Sequence, residues 1–468
     1  MIYNETVSYL YNLQKYGIKL GLDNIRRLAS SLGSPQQSYR CIHVAGTNGK
    51  GSTSAMIASI LQAAGFKTGL FTSPHLISFT ERIRINDTQI TEDEVVALVS
   101  ELRDTISLSK GFSPTFFEVV TAMAMLYFKR KKIDIAVMEV GMGGRLDATN
   151  IVSPEVSVIT SISMDHEEFL GKTLEEIAEE KAGIIKNSVP VVVSRQDAGP
   201  LGVIEKTAEK RSADMYLYGK DFSSELKRKD ITGILFRFSG GRSCIMDDMV
   251  LPLAGEHQML NASVALEAAM IALGRCTSYM QSPPCHPLHE FPELSQYLRE
   301  GLRNVKWSGR LEFVHEDPPI LIDGAHNAAA ATALSRELKD CFAGMHRRLI
   351  LILGIMGDKD VPGIMGPLLP LASDIILTAP SYARAARPDT LADIARSLGF
   401  PRVTTAPTVK DAIAHAKTMA SGAMYDGTST KGYPENALPL IVITGSFYTI
   451  GEAKEVLGQR GVLTGLRE

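Results

Sequence analysis

At 468 residues, with 45% hydrophobic and 22% charged side chains, the chain is too long for one ordinary core, and two or three soluble domains are expected. No segment approaches the roughly 18 uninterrupted apolar residues of a membrane helix. Lys+Arg of 49 against Asp+Glu of 52, a net charge of -3, carries no nucleic-acid footprint, so charged partners should be small molecules. The opening Met1-Ile2-Tyr3-Asn4-Glu5-Thr6 has neither the basic start nor the apolar run of a signal peptide, which suggests a cytoplasmic protein. Cys41, Cys244, Cys276, Cys285 and Cys341 form no C-x-x-C pair, against both a disulfide framework and a zinc site.

Tyr9 to Leu32 reads as two short helices around Lys15-Tyr16-Gly17-Ile18-Lys19-Leu20-Gly21-Leu22, covering a sheet edge. Arg40 to Ala45 is short and apolar enough for a buried strand, and Ser52 to Ala64 carries apolar residues at helical spacing. Between them, Gly46, Gly49 and Gly51 let backbone N–H groups converge at a helix N-terminus, where the dipole favours an anion and Lys50 adds a full charge. This reads as a phosphate cradle. It departs from the common G-x-x-x-x-G-K-[ST] loop, because position 44 is valine and Gly51 separates Lys50 from Ser52. The bland alternative is a tight turn with a surface lysine.

The words Ala-Gly-Thr-Asn-Gly-Lys-Gly-Ser from Ala45 to Ser52 resemble the nucleotide loop of the Mur ligase superfamily of ATP-dependent amide-forming enzymes. The extra glycine before the serine is similar to the folylpolyglutamate synthase and dihydrofolate synthase branch. The resemblance implies that Asn48, Gly49, Lys50, Gly51, Ser52 and Thr53 hold ATP, with Lys50 also catalytic.

Further motifs follow at strand ends. Lys67 to Phe71 reads as a strand running into Thr72-Ser73-Pro74-His75-Leu76, where Pro74 imposes an extended turn and exposes Ser73 at the edge where open α/β sheets bind ligands. The family pattern matches Ser73 to a magnesium ligand. Glu81 to Ile90 alternates about Asn86-Asp87 as a hairpin, and Thr91 to Ser107 is a helix with Glu94 completing a capping box. In the helix from Thr115 to Lys129, Glu118 either caps its own first turn or, as the resemblance of Thr115-Phe116-Phe117-Glu118 implies, lies at a pterin-side substrate site. Ile133 to Val140 is a strand with Glu139 near its C-terminal end, placed to hold Mg²⁺ and matching the family's magnesium glutamate. A dinucleotide fingerprint is excluded there, because its third glycine would fall at Leu146. The resemblance assigns Leu146, Asp147 and Ala148 to the pterin side; the alternative is that Asp147 only caps the turn before Asn150.

Val156 to Thr160 precedes Ser163-Met164-Asp165-His166, where His166 resembles a further metal ligand, implying two magnesium sites. Leu174 to Ala182 is a helix with Lys181 in its last turn, where a cation complements the dipole. Glu180-Lys181-Ala182-Gly183 matches a family lysine that is carbamylated into an anionic metal ligand needed for catalysis. A strand from Val189 to Val193, a helix and shorter strands through Ile234-Leu235-Phe236-Arg237-Phe238 lead to a long apolar helix at Met259-Leu260-Asn261-Ala262. Asn261 there is either a packing polar residue or, by resemblance, an ATP contact.

The Ser- and Pro-rich stretch Cys276 to Leu288, a short helix and Val305-Lys306-Trp307-Ser308-Gly309-Arg310 mark the expected boundary, 1–306 as the ATP-binding domain with the pterin site and 307–468 as the glutamate-ligase domain. Ile320 to Ile322, Leu349 to Leu353, Asp374 to Leu377 and Leu440 to Thr444 alternate with helices, arguing a second, parallel sheet. The fold class is therefore α/β, an N-terminal P-loop ATPase-type domain with a mostly parallel sheet plus a smaller C-terminal Rossmann-like domain. In Asp323-Gly324-Ala325-His326-Asn327 and the flanking turns Gly357-Asp358-Lys359-Asp360 and Thr444-Gly445-Ser446, the resemblance assigns Arg310 and Asp323 to ATP, His326 to the catalytic region of the glutamate acceptor, and Ser446 to substrate. Ser308 and Phe447 stand where the family usually has Pro and Leu.

The resemblance implies an ATP- and Mg²⁺-dependent monomeric ligase that adds L-glutamate to dihydropteroate and to reduced folates through an acyl phosphate, or to reduced folates alone. A nucleotide switch would need the loop but not Arg310, Asp323 and His326. A cell-wall Mur ligase would need a further domain before a loop that starts after only about forty residues.

Overall fold

The computed structural model describes residues 2–17, 21–108, 113–240, 244–276, 292–342, 348–422 and 439–458. Residues 18–20 of the lead-in and 277–288 of the Ser- and Pro-rich stretch, with Cys285, lie outside the described residues.

Strands β1 (Arg40–Ala45), β2 (Thr68–Phe71), β3 (Ile83–Ile85), β4 (Thr88–Gln89), β5 (Ile135–Glu139), β6 (Val156–Ile159), β7 (Val191–Val193) and β8 (Met215–Leu217) form one sheet in the order β4-β3-β2-β5-β1-β6-β7-β8. It is parallel from β2 to β8, with the β3–β4 hairpin antiparallel at one edge. β1 and β5 are covered on both faces, which is why they read as continuous apolar runs rather than alternating ones.

The helix Lys50–Ala63 that follows β1 is buried from Gly51 to Leu61. Helices Glu256–Cys276 and Pro292–Arg303 cover it on the side away from the sheet. Gly301 makes that close approach possible: a Cβ there would lie 2.3 Å from the Ile60 Cα, and Ser59 Oγ donates to the Gly301 carbonyl at 2.6 Å. A helix packed on both sides needs no polar face, so its amphipathic signal is weak.

β9 (Ser223–Asp230), β10 (Gly233–Gly240) and β11 (Cys244–Leu251) form a separate antiparallel sheet whose inner residues Phe236, Phe238, Met246 and Met249 join the same core as Ile42 and Val44 of β1. The third sheet has the order β12-β13-β17-β14-β15-β16, from β12 (Glu312–Glu316), β13 (Pro319–Ile322), β14 (Leu349–Leu353), β15 (Asp374–Leu377), β16 (Thr404–Thr405) and β17 (Leu440–Thr444). The expected parallel sheet is there, with one difference: β12 pairs antiparallel to β13 as an edge strand. The turns after β1, β2, β5 and β6 of the first sheet and after β13, β14 and β17 of the third supply most of the side chains described next.

Candidate active site

The phosphate loop has the backbone its glycines allow. Gly49 is left-handed (φ 89°) and caps the helix Lys50–Ala63, and a Cβ at that position would lie 2.3 Å from Asn261 Oδ1. Asn261 thus packs directly on the loop, and its Nδ2 donates to Gln258 Oε1 at 3.1 Å. Lys50 Nζ donates to the Thr47 carbonyl at 3.0 Å, folding the ammonium back over the cradle. Ser52 Oγ and Thr53 Oγ1 are buried without a hydrogen-bond partner within the chain. Buried hydroxyls are rarely left so, and two of them at a helix N-terminus beside a lysine fit a phosphate with its metal ion.

Glu139, at the end of β5, is 3% exposed, and its Oε2 accepts from the Ser73 N–H at 3.0 Å. Burial pushes its carboxyl up to about 7, against Lys50, Ser73, Arg310 and Arg82, which all pull it down. No group of three His, Cys, Asp or Glu residues able to hold a metal ion is present among the described residues. Magnesium does not require one, since it keeps waters and phosphate oxygens and takes few protein ligands. A buried carboxylate beside Ser73, facing the cradle, fits that ion. His166 follows β6 in a left-handed conformation (φ 52°), with Nε2 3.9 Å from Asp165 Oδ2. Lys181, 3% exposed, donates from Nζ to the Gly46 carbonyl at 2.9 Å. Burial first, then Lys50, lowers its ammonium to about 7, so a large share of Lys181 is a neutral, nucleophilic amine at neutral pH.

The C-terminal sheet reaches the same place. Asn48 Nδ2 donates to Asn327 Oδ1 at 3.3 Å and Asn327 Nδ2 to Asn48 Oδ1 at 3.0 Å. Lys359 Nζ pairs with Asp165 Oδ1 at 2.5 Å, and His326 Nε2 lies 3.8 Å from Asp165 Oδ2. Burial alone would raise the Asp165 carboxyl; His166, Lys359 and His326 outweigh it and hold it well below the ordinary carboxylate range. His326 Nδ1 sits 2.8 Å from the Gly324 carbonyl, an acceptor only, so Nδ1 carries the proton and Nε2 a lone pair. Arg310 lies over the Phe447 ring, 4.7 Å from its centroid, with Nη1 donating to the Gly309 carbonyl at 3.1 Å. Glu139 and Arg310 act on one another's ionisation, so the two sheets share one electrostatic site.

A profile of the Mur ligase middle domain matches residues 44–269, and one of the Mur ligase glutamate ligase domain matches residues 309–426. Dihydrofolate synthase/folylpolyglutamate synthase of Bacillus subtilis is 34% identical over 459 residues, covering 97% of this chain and 99% of that protein. The chain belongs to this family of Mur ligases. The Escherichia coli protein of the same name is 30% identical over 455 residues, covering 97% and 95%. Among solved structures, Mycobacterium tuberculosis folylpolyglutamate synthase complexed with ADP superposes with a TM-score of 0.86 at 34% identity, covering 98% of this chain and 100% of that one. Escherichia coli FolC in complex with DHPP and ADP does so at 0.80 and 29%, covering 98% of each. The family makes this chain an ATP-dependent ligase, and Mg²⁺ is the cofactor that goes with that chemistry.

Several site residues expected from the sequence have structural duties in the fold. Thr115 caps the helix Phe116–Lys131, and Glu118 accepts from the Thr115 N–H at 2.7 Å and from Asn24 Nδ2 at 3.4 Å. Phe117 packs against Gly141, where a Cβ would meet its ring at 2.4 Å, so the helix start abuts the glycine loop. In that loop Leu146 is half-buried and Ala148 buried. Asp147 caps the short turn Ala148–Ile151, accepting from Thr149 N and Thr149 Oγ1 through Oδ1 and from Met142 N at 3.0 Å through Oδ2. Asp323 accepts from Leu311 N at 3.0 Å and Ala325 N at 2.9 Å. Ser446 caps the helix Phe447–Val456 through Thr449. Asp165, Asn327 and Lys359 join the site through contacts between the two sheets, and in the sequence they carry no signal beyond their place in turns after strands.

Proposed function

We propose that this ligase adds L-glutamate to dihydropteroate, giving dihydrofolate, and further glutamate to reduced folates. The observation that carries the reading is the meeting of a phosphate cradle with His326, Asn327 and Lys359 of the second sheet, which suits a reaction needing ATP and an amino acid in one enclosed site. A nucleotide switch would have no use for those C-terminal groups.

In the first step a carboxylate oxygen of the acceptor attacks the γ-phosphorus of ATP, the bond to the bridging oxygen breaks, and ADP leaves an acyl phosphate. Lys50, Arg310 and the loop N–H groups gather around the oxygens that gain negative charge. Ser73, Glu139, His166 and a carbamylated Lys181 would hold Mg²⁺, which when bound neutralises phosphate charge. The carbamate forms as the neutral Lys181 amine adds to CO₂ and loses a proton; its neutral fraction supports that step. In the second step the glutamate amine attacks the acyl carbon, a C–N bond forms, the C–O bond to phosphate breaks, and the amine proton passes to the lone pair on His326 Nε2. Contacts across the two sheets exclude water that would otherwise hydrolyse the acyl phosphate.

In this reading Asn48, Gly49, Gly51, Ser52, Thr53, Asn261 and Asp323 shape the ATP site. Thr115, Phe116, Phe117, Glu118, Leu146, Asp147 and Ala148 shape the pterin side, with Ser446 near the amino acid. We divide the chain at 306/307 and take it to act as a cytoplasmic monomer, since both halves of the site come from one chain; no described helix is long and apolar enough to cross a membrane. The test supplies purified protein with ATP, Mg²⁺ and L-glutamate and offers dihydropteroate and tetrahydrofolate separately. Glutamate-dependent ADP release with both is expected; release with tetrahydrofolate alone would reduce the activity to folylpolyglutamate synthesis.

A further inference from the structure

Beside the site lies a small recess between the N-terminal helices, the turn after β2 and the C-terminal helix Phe447–Val456. Its floor is Arg82. This side chain is 7% exposed, with its guanidinium 5.4 Å from the Phe116 ring centroid and 6.0 Å from that of Phe79. Nε donates to His75 Nδ1 at 2.8 Å, so His75 carries its proton on Nε2, 3.2 Å from the Tyr11 hydroxyl. No carboxylate lies within ion-pair distance of Arg82 among the described residues; Glu81 and Glu139 act on its charge only from farther off, and Arg82 lines the recess. Tyr382 and Tyr448, stacked with centroids 4.0 Å apart, also line it.

A buried guanidinium cannot shed its proton, and a buried cation needs an anion. Burial lowers the Arg82 ionisation, yet the group stays charged at any physiological pH. Its planar fork suits a carboxylate held by two parallel N–H bonds. The recess also opens onto the chemistry, because Pro74 on its rim follows the Ser73 that binds Glu139, and Phe447 packs on both Arg310 and His326.

We propose that Arg82 and this recess form a subsite for the non-reacting carboxylate of a glutamyl group, carried either by the incoming L-glutamate or by the terminal residue of a folate acceptor. This rests on the ligase reading above and deepens it. Arg82 is a specificity residue: it touches substrate away from the bond that forms. Dihydropteroate offers only the carboxylate that reacts, so it separates the two sources.

The test measures steady-state kinetics of Arg82→Met and Arg82→Lys with both acceptors, with AMPPCP affinity and thermal midpoint as checks of folding. Loss of a charge-assisted pair should raise the relevant KM about 10- to 100-fold, more than it lowers kcat, with Arg82→Lys intermediate. A raised KM for L-glutamate with either acceptor assigns the carboxylate to the incoming amino acid. A raised KM for tetrahydrofolate with dihydropteroate unchanged assigns it to the acceptor tail. KM values within about twofold of wild type for all substrates overturn the proposal while the ligase reading stands; a wild-type protein without ligase activity overturns that reading instead. Should the variants fail to fold, a crystal structure of the wild-type protein with AMPPCP and L-glutamate, and another with AMPPCP and tetrahydrofolate, decides. A carboxylate within about 3.2 Å of the Arg82 terminal nitrogens supports the subsite, and its absence from both overturns it.

Discussion

Asn48 of the phosphate loop and Asn327 of the C-terminal sheet, 279 residues apart, exchange amide hydrogen bonds in both directions. The pair ties the loop after β1 to the turn after β13 without any charge. Asn327 also caps the helix Ala328–Phe342, accepting from Ala330 N at 2.9 Å, so an alanine there would cost cap and link together. Asn327→Asp separates them: it keeps a capping oxygen but turns the donor into an acceptor facing Asn48 Oδ1 and Asp165. We expect a thermal midpoint close to wild type with kcat/KM lower by about tenfold or more, consistent with a lost hydrogen bond and an added like charge. Unaltered turnover would show that the link is not needed for closure.

In the proposed mechanism Lys50 sits where the transferred phosphoryl group gathers charge. Removing one such donor costs about 10²- to 10³-fold in kcat. Lys50→Ala should do so in a protein whose circular dichroism and midpoint stay close to wild type, because among the described residues the Lys50 ammonium hydrogen-bonds only to the Thr47 carbonyl of its own loop. Near-normal ATP-dependent ligation would remove the cradle from the mechanism.

Local segments with one dominant signal were legible in the sequence. Arg40–Ala45 reads as a strand because it is short and apolar, and Leu174–Ala182 as a helix that stops at Gly183. What stayed hidden depends on distant partners. The edge strand Glu312–Glu316 mixes Phe313 and Val314 with charged ends, and its antiparallel pairing follows from its neighbour rather than its own composition. Arg82 has no motif around it; its meaning comes from Phe116, His75 and Tyr448, which the fold gathers from three regions. Glu118, Asp147, Asp323 and Ser446 show the converse limit. An oxygen near a helix start looks the same in sequence whether it binds a ligand or its own backbone, and in the structure all four bind backbone N–H groups.

His43 in β1 is fully buried, and burial lowers its imidazole to about 3 from an ordinary 6.5. The Thr149 hydroxyl donates to Asp147, so His43 must donate from Nε2 to Thr149, at 2.8 Å, and is neutral in the fold. Between pH 6.5 and 3 the unfolded chain binds the extra proton, so stability falls as the pH drops through that window and is fully present above it. The loss between pH 7 and pH 5 should be about 2 kcal/mol from this residue. His43→Gln, which can still donate to Thr149, should show a smaller drop in urea midpoint over the same interval; parallel drops would place the acid sensitivity elsewhere.

Lys181 gives a direct chemical readout. With its amine near pKa 7 and bonded only to the Gly46 carbonyl, it should gain about 44 Da in native mass spectra recorded in bicarbonate, a mass absent from Lys181→Met. Activity of Lys181→Met should fall and be restored in part by short carboxylic acids. A wild-type protein fully active yet never carrying the added mass would remove the carbamate from the metal set.

Asp147 tests how the enzyme tells its acceptors apart. The family resemblance places it at the pterin, yet its carboxylate accepts from Met142 N, Thr149 N and Thr149 Oγ1, and the residue is 7% exposed. A carboxylate has about four lone-pair positions, so three are already occupied within the loop. Burial raises its ionisation, and these bonds oppose that rise. We therefore expect Asp147 to act by holding Leu146 and Ala148 in place rather than by reading the pterin through both oxygens. Asp147→Ala leaves buried N–H groups without partners and should cost about 1–3 kcal/mol of stability. It should also lower activity on dihydropteroate and on tetrahydrofolate by similar factors, since in the proposed reading both acceptors meet the same loop. Asp147→Asn, which can keep one accepting oxygen, should fall between. A selective loss of dihydropteroate activity in Asp147→Asn, at an unchanged midpoint, would instead mean that the carboxylate itself pairs with the pterin edge.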